Sequence, residues 1–194
     1  LLLLVLTGCN SDKAFKGGYA IAYKDGTPYL LNSKNETYDL SYYDEVSDHF
    51  DEYTVVKKYK NQKLLCGYIN RDGVEVIKTK YEQAYPFSEG YAVVVNKGIY
   101  QLIDTSDKVV YTFPSDVKSF GYIVDGHLRV EKDGKFSFLR ISDFYLHDQY
   151  YEGLENFSDG YALYHYYENN NKYYNFLNKE FKKAFEDDSL KQYE

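Results

Sequence analysis

Five ring-bearing side chains, Tyr19, Tyr53, Tyr91, His127 and Tyr161, recur along the 194-residue chain at nearly even intervals. Their separations are 53−19=34, 91−53=38, 127−91=36 and 161−127=34 residues. Rings spaced in this way on one face would do the chemistry of recognition: stacking on a sugar or peptide while hydroxyls donate and accept hydrogen bonds. In the run His127-Leu128-Arg129-Val130-Glu131 the apolar residues alternate with polar ones, which places His127, Arg129 and Glu131 on the face away from the core. The candidate binding column is therefore Tyr19, Tyr53, Tyr91, His127, Arg129 and Tyr161, with Glu131, Lys57, His165 and Tyr167 beside it. A competing reading is the commoner one for repeats. Repeat signatures are first of all packing signatures, and the same rings would serve by lying against the closing loop of the neighbouring unit.

Other chemistry finds less support. His49, His127, His147 and His165 fall in different units without metal-ligand spacing, so no metal and no cofactor are expected. There is no nucleophile elbow, phosphate loop or dinucleotide fingerprint. Cys66, within Leu64-Leu65-Cys66-Gly67-Tyr68-Ile69, reads as a small buried hydrophobe. Acidic pairs such as Asp44-Glu45 and Asp187-Asp188 read as solvated turns. The chain is expected not to be an enzyme; the alternative is an envelope enzyme with an unrecognised active site in the groove of the array. The formal charge of −7 gives no help to a nucleic-acid partner.

The elements that must hold the column are short strands. Each unit runs through an alternating segment such as Tyr91-Ala92-Val93-Val94-Val95, and then a segment ending in Asn or Asp such as Tyr68-Ile69-Asn70. A closing stretch follows, such as Tyr81-Glu82-Gln83-Ala84 up to Phe87. Asp25-Gly26, Asp72-Gly73, Asp133-Gly134 and Asn169-Asn170-Asn171 supply the positive φ of tight turns between them. The fold expected is all-β: about five β-hairpin-type repeats in an open, twisted solenoid-like stack, with a five-bladed propeller as the alternative. The units are 19–52, 53–90, 91–126, 127–160 and 161–194, within an array from residue 17 to 194. Residues 182–192 fit the second half of a repeat better than a short helix. The cluster Tyr164, Tyr166, Tyr167, Tyr173 and Tyr174 is expected to cap the array.

Cys66-Gly67-Tyr68-Ile69-Asn70, Arg71-Asp72-Gly73, Tyr81-Glu82-Gln83-Ala84 and Pro86-Phe87-Ser88-Glu89-Gly90-Tyr91-Ala92 resemble the unit of the bacterial WG-repeat proteins. Asn156-Phe157-Ser158-Asp159-Gly160-Tyr161-Ala162 matches it again. The Trp of that unit is absent: Pro28, Cys66, Tyr100, Phe136 and Tyr174 stand in its place, and Gly67 alone keeps the Gly. The resemblance implies an all-β array and brings no shared catalytic residues.

Residues 1–9, Leu1-Leu2-Leu3-Leu4-Val5-Leu6-Thr7-Gly8-Cys9, read as the tail of an export signal. Leu6-Thr7-Gly8-Cys9 resembles a lipobox, which makes Cys9 the lipidation site and residues 10–16 a tether. The expected address is the outer side of a bacterial membrane, with the membrane as one partner through that lipid. Cell-wall polysaccharide, a peptide or another envelope protein is the other.

Overall fold

The computed structural model describes residues 18–47, 52–119 and 121–185. The lipobox with Cys9, the tether, His49, Phe50, Phe120, Asp187-Asp188 and most of 182–192 lie outside the described residues. All regular structure among them is β, in five antiparallel sheets, none closed into a barrel. The chain divides into two units, Leu1–Val110 and Tyr111–Glu194.

The first unit opens with the sheet β1 (Tyr19–Lys24), β2 (Thr27–Asn32) and β3 (Thr37–Asp39). Its second sheet orders β4 (Glu45–Val46), β5 (Tyr53–Lys60), β6 (Lys63–Asn70) and β7 (Glu75–Tyr81). The third orders β8 (Gln83–Ala84), β9 (Tyr91–Asn96), β10 (Ile99–Asp104) and β11 (Val109–Thr112), and in β11 the first unit gives way to the second. The second unit holds β12 (Ile123–Val124), β13 (His127–Lys132), β14 (Lys135–Arg140) and β15 (Tyr145–Leu146) in one sheet. Its other sheet is β16 (Gly153–Leu154), β17 (Tyr161–Glu168) and β18 (Asn171–Asn178).

The two long strands of every sheet form a hairpin closed by two residues at positive φ. These are Asp25-Gly26, Asn61-Gln62, Lys97-Gly98, Asp133-Gly134 and Asn169-Asn170. Such a turn matches the right-handed twist of the strands it joins, hence the Asn, Asp and Gly. Here the repeat is constant: 61−25, 97−61, 133−97 and 169−133 all equal 36. Asp72-Gly73 belongs to a different turn. The residue ending the second long strand gathers the backbone beyond it in an Asx turn. Asn70 Oδ1 accepts from the N–H groups of Asp72 and Val74, each at 3.0 Å. Asn32, Asp104 and Asn178 do the same over 2.9–3.1 Å. Arg140 has no such oxygen, and its guanidinium instead grips Asp143 with two hydrogen bonds.

The closing stretches of the first, second and fourth repeats pair with the sheet that follows. Val46 lies opposite Val56, Ala84 opposite Val94, and Leu154 opposite Tyr164. Within each unit consecutive sheets are thus tied by strand exchange as well as by packing. In the first unit Val56 and Ile69 join Leu30, Leu40 and Tyr43 on one side of the second sheet. Val55, Cys66, Tyr68 and Ile77 meet Phe87, Ala92, Val94 and Ile103 on the other. Adjacent residues of one strand are therefore both buried, and each large side chain so enclosed contributes about 1.5–3 kcal/mol. In the second unit Phe138, Tyr151, Leu154, Phe157, Ala162, Tyr164 and Leu177 form the core between its two sheets.

Gly67 marks a close approach. A Cβ there would lie 2.5 Å from the Ile77 carbonyl oxygen, where the β6–β7 register is irregular. Opposite the same position of the first long strand, the last sheet carries Asn175. Its buried side chain donates to the Phe185 carbonyl at 3.0 Å.

Candidate functional site

The column residues share a register position and have different surroundings. The Tyr53 ring lies 5.0 Å from Phe87, which also touches Tyr68 at 4.8 Å. His127 is 4% exposed, against the expectation of an outer face. Its ring stacks on Phe157 at 4.1 Å, and its Nδ1–H donates to the Asp125 carbonyl at 2.7 Å. The reason is the cover on both faces of β13: Leu128 and Val130 are buried on one side and His127 on the other. Alternation therefore does not separate a core face from a wet face here.

Arg129 is half-buried, donates to the Leu154 carbonyl at 2.8 Å and sits over the Phe136 ring. It borders a recess of mixed lining, about 230 Å³, that also involves Lys118, Tyr122, Glu131 and Asn156. Tyr19 and Tyr91 are half-buried, Tyr19 beneath the Arg71 guanidinium. Tyr161 is 49% exposed. The rings are thus not brought together as one exposed ladder, and Tyr161 is the column residue left facing solvent.

Two larger clefts lie in the second unit. The first, of about 350 Å³, is walled by Tyr150, Tyr151, Tyr164, Tyr166 and Tyr167. Lys135, Gln149, Glu152 and Lys183 complete it, with a Lys135–Glu152 ion pair at 2.8 Å on its rim. Local sequence creates this space. The strands of the β17–β18 hairpin have 8 residues each against 6 in β13 and β14, so Tyr167 comes from added length. Tyr151 is fixed by two backbone hydrogen bonds with Phe136, both 2.8 Å, and burial raises its phenol pKa. Neutral hydroxyls, an ammonium over the Tyr166 ring and a carboxylate can together bind a hydroxylated ring ligand. The sequence marks the Tyr164–Tyr174 cluster; it does not reveal that Tyr150, Lys135 and Glu152 come beside it.

The second cleft, of about 480 Å³, is lined by Ser158, Tyr161, Phe176, Ala184 and Phe185. Tyr161 and Phe185 are both about half exposed, and Phe176 meets Phe185 edge-on at 6.1 Å.

His127, His147 and Cys66 serve packing. His147 stacks on Phe181 at 4.6 Å, with its Nε2 3.5 Å from the Tyr151 hydroxyl, and burial lowers its pKa. Burial raises the Cys66 thiol and so opposes thiolate formation. Among the described residues no group of three His, Cys, Asp or Glu side chains could hold a metal ion.

Residues 67–100 match the family model of the WG containing repeat. No curated protein matches the chain. A solved protein of unknown function from Bacteroides caccae is similar at TM-score 0.41 and 11% identity, over 89% of this chain and 78% of that one. The Neurospora crassa Pan2 WD40 domain is similar at TM-score 0.43 and 11% identity, over 89% and 63%. The WD40 domain of SCAP from fission yeast gives 0.36 and 11%, over 84% and 54%. The WG containing repeat thus accounts for 100−67+1=34 residues of an all-β repeat protein, those from β6 to the start of β10.

Proposed function

We propose that the chain is a non-catalytic binding or scaffold module of the bacterial cell surface. Lipid on Cys9 holds it to the membrane, residues 10–16 act as the tether, and the β repeats face outward. Its partner is a cell-wall glycan. The observation that carries this reading is the tyrosine-walled cleft between the two sheets of the second unit, at about 350 Å³ near the lower end of small-molecule sites (roughly 300–1,000 Å³). Pyranose rings offer flat C–H faces to tyrosine and hydroxyls to Lys135, Gln149 and Glu152.

Retention of the lipid-free protein on purified wall glycan tests the reading. Tyr167→Ala, which removes a 58% exposed ring, should lower retention at least fivefold while the melting temperature stays unchanged. Retention equal to that of an unrelated acidic protein would remove the glycan. The anchor has a separate test: fatty acid supplied to expressing cells should become covalently attached, and Cys9→Ser should abolish the label.

A further inference from the structure

Lys60 faces Lys63 across the tip of the β5–β6 hairpin, as Lys132 faces Lys135 across β13–β14. Like charges directly opposite on paired strands repel and destabilise the pair. In the second unit each lysine has a counterion: Lys132 pairs with Asp116 at 2.7 Å and Lys135 with Glu152 at 2.8 Å. The first unit differs. Lys60 Nζ donates to the Thr79 carbonyl at 2.9 Å, and among the described residues neither Lys60 nor Lys63 has a carboxylate partner.

More positive charge gathers at the same tip. The bond from Lys60 to Thr79 holds the hairpin end against Lys78-Thr79-Lys80 of β7, where Lys78 is exposed and Lys80 pairs with Asp107. Lys58 lies over the Tyr42 ring, 3.6 Å from its centroid. From residue 53 to residue 71 the chain has five basic side chains and no acidic one, in a protein of formal charge −7. Tyr42 and Tyr59, next to these lysines, are 58% and 60% exposed.

Lysines interleaved with exposed tyrosines suit a lipid–water boundary. The ammonium groups meet anionic headgroups, and the tyrosine rings lie at headgroup level. Each cation of the tip is a lysine, a point charge on a flexible stem, which fits a mobile array of phosphates; a fixed carboxylate favours the planar fork of arginine. The tether is long enough. Cys9 is 18−9=9 residues before the first described residue, about 30 Å of extended chain. The rise of β5 from Tyr53 to Lys60 covers 60−53=7 residues, about 23 Å.

We propose that the β5–β6 tip is a second membrane contact, in which Lys58, Lys60, Lys63 and Lys78 bind the phosphate headgroups of anionic lipid. The membrane as partner rests on the reading of Cys9 as the anchor; the lysine site rests on the register and the missing counterions. A lipid anchor and a basic patch together attach a protein more firmly than either alone. Charges farther than about 8 Å are screened at physiological salt, so the local lysines and not the net −7 meet the headgroups.

The test uses the full chain without lipid, which retains every carboxylate outside the described residues. It is sedimented with vesicles of equimolar phosphatidylglycerol and phosphatidylcholine. Retention about tenfold above that on phosphatidylcholine alone is expected, falling as salt is raised. Lys60→Gln with Lys63→Gln should lower it at least fivefold. Lys132→Gln with Lys179→Gln, which removes two ion-paired lysines of the second unit, should leave it unchanged. Lys63→Gln with Lys78→Gln repeats the loss should the first pair of substitutions lower the melting temperature. Retention without fatty-acid label on Cys9 would support the lysine contact and remove the anchor alone. Retention on neither vesicle, equal retention on both, indifference to both tip variants, or an equal loss from the second-unit variant would overturn the proposal. Binding to polyglutamate without retention on vesicles would reassign the tip to an acidic polymer and overturn it as well.

Discussion

Tyr53 and Tyr161 are the same residue at the same place in their repeats, yet they have opposite fates. Tyr53 opens β5, whose sheet has packed side chains on both faces, and its ring is covered by Phe87. Tyr161 opens β17, whose inner face builds the core with Phe138 and Phe157 while its outer face bears half-exposed rings. Register places a ring in this family of positions. Whether the ring is core depends on its cover, which Phe87 supplies for Tyr53. A repeated residue therefore need not have a repeated role.

The comparison breaks most visibly at the phenylalanines. Phe87→Ala should cost about 3–5 kcal/mol in urea unfolding, because it empties a slot between two rings. Phe185→Ala, at the edge of the second cleft, should stay within about 0.5 kcal/mol. Equal costs would mean that the two places do not differ in cover.

Next comes the pair at the equivalent position of the second long strand. Gly67→Ala forces a Cβ against the Ile77 carbonyl and should cost about 1–3 kcal/mol. Asn175→Ala should cost a similar amount, about 1–3 kcal/mol, by removing the buried partner of the Phe185 backbone. Only the Asn175 variant should also alter reactivity at Phe185. Cost without that change would detach Asn175 from the shape of the second cleft.

A smaller effect separates the turns. Asn70→Ala removes the acceptor for two backbone N–H groups and should cost about 1–2 kcal/mol, measured by thermal unfolding. Arg140→Ala removes an exposed ion pair and should cost under about 1 kcal/mol.

The smallest effect is electrostatic. Burial lowers the His147 pKa below its unfolded value of about 6.5, and His165 shifts in the same direction. The unfolded chain then binds more protons. This contribution to stability is complete above about pH 6.5 and is lost as pH falls through the folded pKa. The melting temperature should drop between pH 7 and 5, and His147→Gln should reduce the drop. Asp104 and Asp143 are held below their usual range and add losses only near pH 4 and below, outside that window.

Much of this architecture is legible in the chain. Short alternating runs and Asn, Asp or Gly at tight turns give an all-β repeat, because strand period and positive φ are local properties. The face carrying His127 is not legible, since two covered faces erase the contrast on which alternation depends. The closing stretch reads naturally as the end of its own unit, because its pairing to the next sheet is non-local. Asn70 and its counterparts appear as a recurrent letter, and only the turn geometry shows that they are backbone acceptors. Of the clefts, the sequence shows the tyrosines and hides Lys135, Tyr150 and Glu152, which the Phe136–Tyr151 backbone pairing brings beside them.

Hydroxyl-radical footprinting of the folded chain, read residue by residue, tests the central contrast most directly. Tyr161 and Phe185 should be labelled at rates near those of the unfolded chain, while Tyr68, Phe87, Phe138 and Phe157 are protected. Protection of Tyr161 and Phe185 equal to that of Phe87, or equal labelling of all six rings, would contradict the account.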